Sequence, residues 1–224
     1  IIPSEINVSH TIGKYYENGN FISNLNIPIP GLHNLSNVTA AIAATRMIGI
    51  DFSEIKKNIK YLKLPKKRFE FRGQIDERNL YDDYAHHPNE IKETIKLGRL
   101  FLEQKLNNES QKNRLIAIFQ PHRYSRVKKF KKEFAEELSK ADVVYVTGIY
   151  AAGEGNKDKI NSKIITDLIY EKNKNVSYIN NYHEFTKNFY KLTQKGDLIL
   201  NMGAGDCHDF WSILNEKKFE YFPN

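Results

Sequence analysis

Two short strings hold most of the side chains with chemical capacity: Asp82-Asp83-Tyr84-Ala85-His86-His87-Pro88 and Gln120-Pro121-His122-Arg123-Tyr124-Ser125-Arg126. Each follows a short apolar run of strand character and leads into a helical pattern. In a parallel α/β sheet such strings stand beyond the carboxyl ends of the strands, where ligands bind. The adjacent acids Asp82 and Asp83, the adjacent histidines His86 and His87, and the arginines Arg123 and Arg126 would then share one rim. A guanidinium fork grips carboxylate or phosphate bidentately, and imidazolium is a charge-assisted donor. Acids at strand ends of nucleotide folds bond ribose hydroxyls. The chemistry expected of this rim is recognition of an anionic substrate beside a nucleotide.

Each of these residues also has a plainer reading. Asp82 or Asp83 would serve as a helix cap or simply face solvent. The His86-His87 pair does not suit a metal: adjacent side chains diverge and no third ligand stands at a metal-site spacing, so no metal ligands are expected. One of the two suits a substrate carboxylate, and either would serve as an ordinary loop histidine. Arg123 and Arg126 are neighbours at the start of a predicted helix, whose first-turn N–H groups favour an anion. A surface pair bonding loop acids is the alternative. Gly203-Ala204-Gly205-Asp206 permits a tight turn near an anion, or a plain strand-to-helix turn with Asp206 as cap. The loop Gly148–Gly155 is similar, a flexible segment on the rim. His33, Asn34 and Asn37 precede an alanine-rich stretch; amides suit a purine edge, and Asn37 also suits an N-cap.

The elements that must position these residues alternate from Asn79 onward. Strands are predicted over 79–84, 115–120, 142–147, 176–180 and 197–202. Helices are predicted over 88–106, 125–141, 162–172, 183–194 and 206–216. Strands alternating with helices imply βαβ units and a mostly parallel sheet. Residues 71–224 therefore read as one doubly wound, Rossmann-like α/β domain. Residues 1–70 differ: paired strands over 6–16 and 20–26 join at Glu17-Asn18-Gly19, a hairpin signal. Helices follow over 37–48 and 52–62, with a linker at 63–69. Two strands and two helices read as the tail of a larger domain. Asn107–Asn113 reads as a polar surface loop.

Composition narrows the function classes. Of 224 residues, 40% are hydrophobic, which is enough for a core and argues against disorder. No apolar run approaches the length of a membrane span, and no signal segment opens the chain. The single cysteine excludes an internal disulfide and fits a cytoplasmic setting. The net charge of +7 reads first as a lysine-rich surface, with attraction of anions second. No GxxxxGK[ST] phosphate loop is present, and the glycine fingerprint of a dinucleotide fold is incomplete. Arg68-Phe69-Glu70-Phe71-Arg72 interleaves aromatic and basic residues as some RNA-binding modules do, without a recognisable nucleic-acid motif.

Four segments resemble the C-terminal domain of the Mur ligases: Asp82–Pro88, Gln120–Arg126, Tyr150–Glu154 and Met202–Asp206. Gly31-Leu32-His33-Asn34, with Asn37 and the alanines after it, resembles the end of that family's central ATP-binding domain. Lys67-Arg68-Phe69 resembles its hinge. The resemblance covers nearly the whole chain. It implies a C-terminal fragment (1–70 the tail of the central domain, 71–224 the amino-acid-binding domain) of an ATP- and Mg2+-dependent ligase. Gln120–Arg126 favours the branch that joins L-alanine to UDP-N-acetylmuramate in peptidoglycan precursor synthesis. A similar Asp82–Pro88 string occurs in the branch that attaches a tripeptide to the same nucleotide sugar. By the same resemblance His33, Asn34 and Asn37 hold adenine, Asp82 or Asp83 the ribose, and Arg68 a nucleotide phosphate. Tyr84, His86, Arg123 and Arg126 form the alanine pocket. Neither nucleic acid nor membrane is an expected partner, and the fragment alone is expected to be inactive.

Overall fold

The protein is described by a computed structural model, which covers residues 1–105, 113–207 and 209–215. It divides into two compact units, Ile1–Pro65 and Lys66–Asn224.

The first unit is a three-stranded antiparallel sheet followed by helices. Its strands are β1 (Ile2–Ile6), β2 (Thr11–Glu17) and β3 (Asn20–Ile27), in that order across the sheet. Asn18 and Gly19 make the β2–β3 turn with φ of 47° and 83°, so Glu17 pairs with Asn20 across a two-residue loop. Both central residues at positive φ match the twist of the flanking strands. The single strand expected over 6–16 is in fact two, because Asn7 N–H donates to the His10 carbonyl and turns the chain. Then come α1 (Leu32–Met47), α2 (Phe52–Asn58) and a 3-10 turn at Ile59–Tyr61. The helix expected from Asn37 starts five residues earlier. Gly31 takes the N-cap position at φ 95°, a conformation suited to glycine. Asn37 is thus not a cap; it lies exposed inside α1. Tyr15, Leu25, Ile27, Leu35, Val38 and Ile42 supply the core of this unit.

The second unit holds a six-stranded sheet. Its elements are β4 (Glu70–Ile75), β5 (Arg78–Asp83), α3 (Pro88–Lys105), β6 (Leu115–Phe119), α4 (Tyr124–Leu138), β7 (Val143–Val146) and α5 (Lys163–Tyr170). After these come β8 (Val176–Tyr178), α6 (Tyr182–Lys187), α7 (Phe189–Leu192), β9 (Leu198–Met202) and α8 (Asp209–Asn215). The strand order is β4-β5-β9-β6-β7-β8. Only the β4–β5 pairing is antiparallel; the others are parallel. The mostly parallel, doubly wound α/β architecture read from the sequence is present.

Both faces of this sheet are covered, which explains why Leu115–Phe119 and Leu198–Leu200 are apolar throughout. Alternate residues serve opposite sides. Ile116, Ile118 and Ile199 meet Phe185, Phe210 and Trp211 of α6 and α8. On the other side Phe119 packs on Phe134 of α4, with ring centroids 5.3 Å apart. Helix α3 comes so close that a Cβ on Gly98 would lie 2.8 Å from Leu115 Cδ1. Strand β4 was not expected. It joins β5 through Asp76 and Glu77, both at positive φ, without the glycine that usually marks such a turn. The helix expected over 183–194 is two, broken at Asn188. The expected loop Asn107–Asn113, apart from Asn113, the last residue of the expected helix 88–106, and residues 208 and 216 of the expected helix 206–216 lie outside the described residues. Among the described residues no helix is long and apolar enough to cross a membrane.

Candidate functional site

Parallel pairing of β5, β9, β6 and β7 sends the segments that follow them to one edge of the sheet. Asp82–Pro88, Gln120–Arg126, the loop at Tyr150–Glu154 and Gly203–Asp206 all arrive there. Backbone bonds join them: Gly203 N–H donates to the Asp83 carbonyl, Arg123 N–H to Tyr150 and Tyr150 N–H to Pro121.

Four of the expected residues form one cluster. Tyr84 and His86 stack edge to face at 5.1 Å, and the Arg68 guanidinium lies 5.8 Å from the Tyr84 ring centroid. Arg126 Nη1 donates to the His86 carbonyl at 3.3 Å. The residue that organises them, Glu90, had escaped the sequence reading. Its Oε2 accepts the N–H groups of His86 and His87 at 3.0 and 3.1 Å, and its Oε1 lies 3.4 Å from Arg68 Nη1. Burial pushes its carboxyl up. The His86 N–H, the His86 and Arg68 charges and the His87 N–H outweigh that and hold it below the usual range. Its signal was legible: Pro88-Asn89-Glu90 opens α3 with an acid at the third helical position, where it reaches back to the cap N–H groups.

Arg123 stands at the N-cap of α4 with φ 67° and ψ 134°, a conformation rare for a side-chain-bearing residue. Such strain costs on the order of 1–3 kcal/mol and persists where the surroundings hold it. The pairing with Tyr150 does so here. Glu154 supplies the cap instead, accepting Ser125 N–H at 3.0 Å and Ser125 Oγ at 2.6 Å, with Arg123 Nη1 3.9 Å away. Those bonds hold the Glu154 carboxyl below its usual range. Nothing near Ser125 in sequence announces a cap supplied from 29 residues downstream.

His122 lies between the two halves of the rim, its ring 5.6 Å from His86 and stacked at 5.6 Å on Tyr150. Burial, followed by the charges of His86, Arg126 and Arg123, lowers its pKa. His87, by contrast, packs against Phe130 at 4.9 Å and is a packing residue.

The acid pair sits lower. Asp82 and Asp83 are 1% and 5% exposed. Asp83 Oδ2 accepts Phe69 N–H at 2.7 Å and its Oδ1 accepts Ala85 N–H at 2.8 Å, so it ties the 67–69 segment to the end of β5. Burial pushes its carboxyl up to about 6, against those two bonds. Asp82 Oδ1 accepts from Asn201 Nδ2 at 3.2 Å, and burial raises its pKa too. Asn201 Nδ2 also donates to the carbonyl of Cys207, whose own thiol is 1% exposed and pushed up to about 12 by burial.

The remaining expected residues belong to the other unit. His33 and Asn34 lie in the first turn of α1, with Asn34 buried and donating from Nδ2 to the Pro30 carbonyl at 2.7 Å. Asn37 follows one turn later. The aromatic–basic run is built into the second unit: Phe69 and Phe71 pack on Tyr81 at 4.5 and 5.3 Å, and Arg72 lies over Trp211. Among the described residues no group of three or more His, Cys, Asp or Glu is arranged to hold a metal ion.

A basic rim of Arg68, His86, Arg123 and Arg126 beside a helix N-terminus suits a carboxylate or phosphate. Residues 67–205 match the family model described as Mur ligase, glutamate ligase domain. The chain is 62% identical over 218 residues to a UDP-N-acetylmuramate–L-alanine ligase of Prochlorococcus marinus subsp. pastoris, covering 97% of this chain and 46% of that protein. A second such ligase, from P. marinus strain NATL1A, is 45% identical, with 97% and 46% covered. The chain thus spans about half the length of the curated relatives it matches. Among solved structures, the UDP-N-acetylmuramate-alanine ligase of Thermotoga maritima superposes with a TM-score of 0.73 at 24% identity, covering 96% of this chain and 46% of that one. The family match, over the same residues that carry the rim, shows that the chain belongs to the Mur ligases.

Proposed function

We propose that this chain is the amino-acid-binding part of an ATP-dependent ligase that joins L-alanine to UDP-N-acetylmuramate in peptidoglycan precursor synthesis. The observation that carries it is the convergence of Arg126, Arg123, His86 and Tyr84 on one rim at the N-terminus of α4. The relatives named above support the choice of substrates. In this reading the arginines and His86 hold the alanine carboxylate and turn its amine outward.

ATP phosphorylates the lactyl carboxylate, giving an acyl phosphate and ADP. The deprotonated amine attacks the acyl carbon, a C–N bond forms, and the C–O bond to phosphate breaks. Inorganic phosphate leaves. The chain's own part is to orient one nucleophile and to exclude others. Arg68, one residue from the Asp83-bound N–H of Phe69, is placed to meet a nucleotide phosphate. His33, Asn34 and Asn37 are assigned to adenine. For the ribose the candidates are Asp82 and Asp83, and their burial makes them the least accessible of the assigned groups. The described residues do not fit Mg2+, which in this reading is held elsewhere in the full-length enzyme.

The test is isotope transfer. With 18O in the lactyl carboxylate, the full-length enzyme is expected to deliver one 18O to inorganic phosphate per amide formed, only when L-alanine and ATP are both present. Unlabelled phosphate, or amide formation without ATP, refutes the reading.

A further inference from the structure

Tyr150 stands on a boundary. Its ring stacks on His122 with an interplanar angle of 17°. Its backbone is clamped on both sides, by Pro121 and Arg123. A Cβ on Gly205 would collide with Tyr150 Cγ and lie 2.6 Å from Gln120 Oε1, so glycine there lets the ring sit where it does. The same Tyr150 is a wall of a cleft of about 510 Å3 that is lined also by Gln120, Tyr182, His183, Asp206 and Asp209. That size is ample for a small-molecule group.

The lining of the cleft is rich in acceptors. Gln120 donates its amide N–H to Asp206 Oδ1. Its carbonyl Oε1 is left buried with no partner among the described residues, and so is the Tyr182 hydroxyl. Gln120 and Tyr182 are 7% and 6% exposed. Unsatisfied buried polar atoms beside the Asp206 carboxylate call for a group that donates hydrogen bonds and carries positive charge. The basic rim on the other side of Tyr150 calls for the opposite.

We infer that Tyr150 is a specificity-determining partition. It closes the carboxylate-gripping rim off from the acidic cleft, so the amino acid held at the rim is limited to a small side chain. With the partition shortened, the cleft takes the ammonium of a longer basic side chain. This rests on the reading of the rim as the amino-acid pocket.

The test uses the full-length enzyme with Tyr150→Ala and Tyr150→Phe. The ratio of kcat/KM for L-ornithine to that for L-alanine is expected to rise by at least about tenfold in Tyr150→Ala, in line with the effect of one misfitted group in a pocket. Tyr150→Phe keeps the wall and is expected to keep the parent ratio. Adding Asp206→Asn to Tyr150→Ala is expected to remove the gain for ornithine but not that for uncharged L-norvaline. An unchanged ratio in a Tyr150→Ala enzyme that still ligates alanine overturns the inference, as does an ornithine gain that survives Asp206→Asn. If Tyr150→Ala turns over nothing, amide chemical shifts decide. L-Ornithine is then expected to move the Asn181 and Ser212 signals in the variant and not in the parent; no movement overturns the inference. A parent that ligates no L-alanine removes the substrate reading, and this inference with it. An active parent with unaltered selectivity in the variant removes this inference alone.

Discussion

Arg126 is held in the first turn of α4 with its guanidinium against the His86 carbonyl, leaving further N–H donors for a ligand. Hydrogen bonds to charged groups contribute about 1.5–3 kcal/mol, roughly 10- to 150-fold in affinity. In the full-length enzyme Arg126→Ala is therefore expected to raise the KM for alanine by that order and to leave the KM for ATP nearly unchanged. A defect confined to ATP would assign Arg126 to the nucleotide. Asp83 gives a second test, through pH. Its folded carboxyl titrates near 6 because it is buried, whereas in the unfolded chain it titrates in the ordinary range. Between those two values the folded chain holds a proton that the unfolded chain has released. Stability from this group is thus highest at low pH and falls as pH rises toward 6. At about 1.4 kcal/mol per pK unit, the loss reaches up to about 3 kcal/mol. Asp83→Asn removes an acceptor and destabilises at any pH, but its deficit against the parent is expected to shrink between pH 4 and pH 7. Urea melts at the two pH values measure it, and a deficit that grows would contradict the assignment.

The β2–β3 hairpin offers the cleanest test at the scale of an element. Gly19 has φ of 83° with nothing within 4 Å of a built Cβ, so substitution there tests the backbone alone. Gly19→Ala is expected to cost about 1–2 kcal/mol, read as a lower melting midpoint of residues 1–65. That hairpin was legible because Asn-Gly is a strong local signal. So were β6, β7 and most of β9, since strands buried on both faces read as largely apolar runs; β5, which carries Arg78, Asn79, Asp82 and Asp83, was legible from its place in the alternation of strands with helices. Strand β4 was not: its turn uses Asp76 and Glu77 at positive φ, and Gly73 interrupts its alternation where the register shifts. The start of α1 was misplaced for a similar reason, because Gly31 caps by backbone conformation and not by a side chain. At the site the basic residues were legible by type and spacing. Glu154 and Gln120 act through contacts 29 and 86 residues away, which no local pattern encodes. Asp82 and Asp83 were placed on the correct strand end, but their burial depends on β9 and on the 67–69 segment.

As a whole molecule, residues 1–224 hold a basic rim without a GxxxxGK[ST] loop to place a transferring phosphoryl group. The purified chain is expected to form no amide from L-alanine, UDP-N-acetylmuramate and ATP, as measured by phosphate release. Robust turnover would show that the chain holds its own means of placing that group. The buried thiol beside Asn201 reports on how its end of the sheet opens. Cys207 is the chain's sole cysteine, is 1% exposed, and titrates near 12. Alkylating reagents attack thiolate at an accessible sulfur, and the closed structure offers neither. Every alkylation event therefore records an opening of the 198–207 region, from the innermost strand to the glycine turn after it. The rate of labelling becomes a clock for how often the floor of the binding edge comes apart. A ligand that seats on the rim should slow that clock without touching the sulfur.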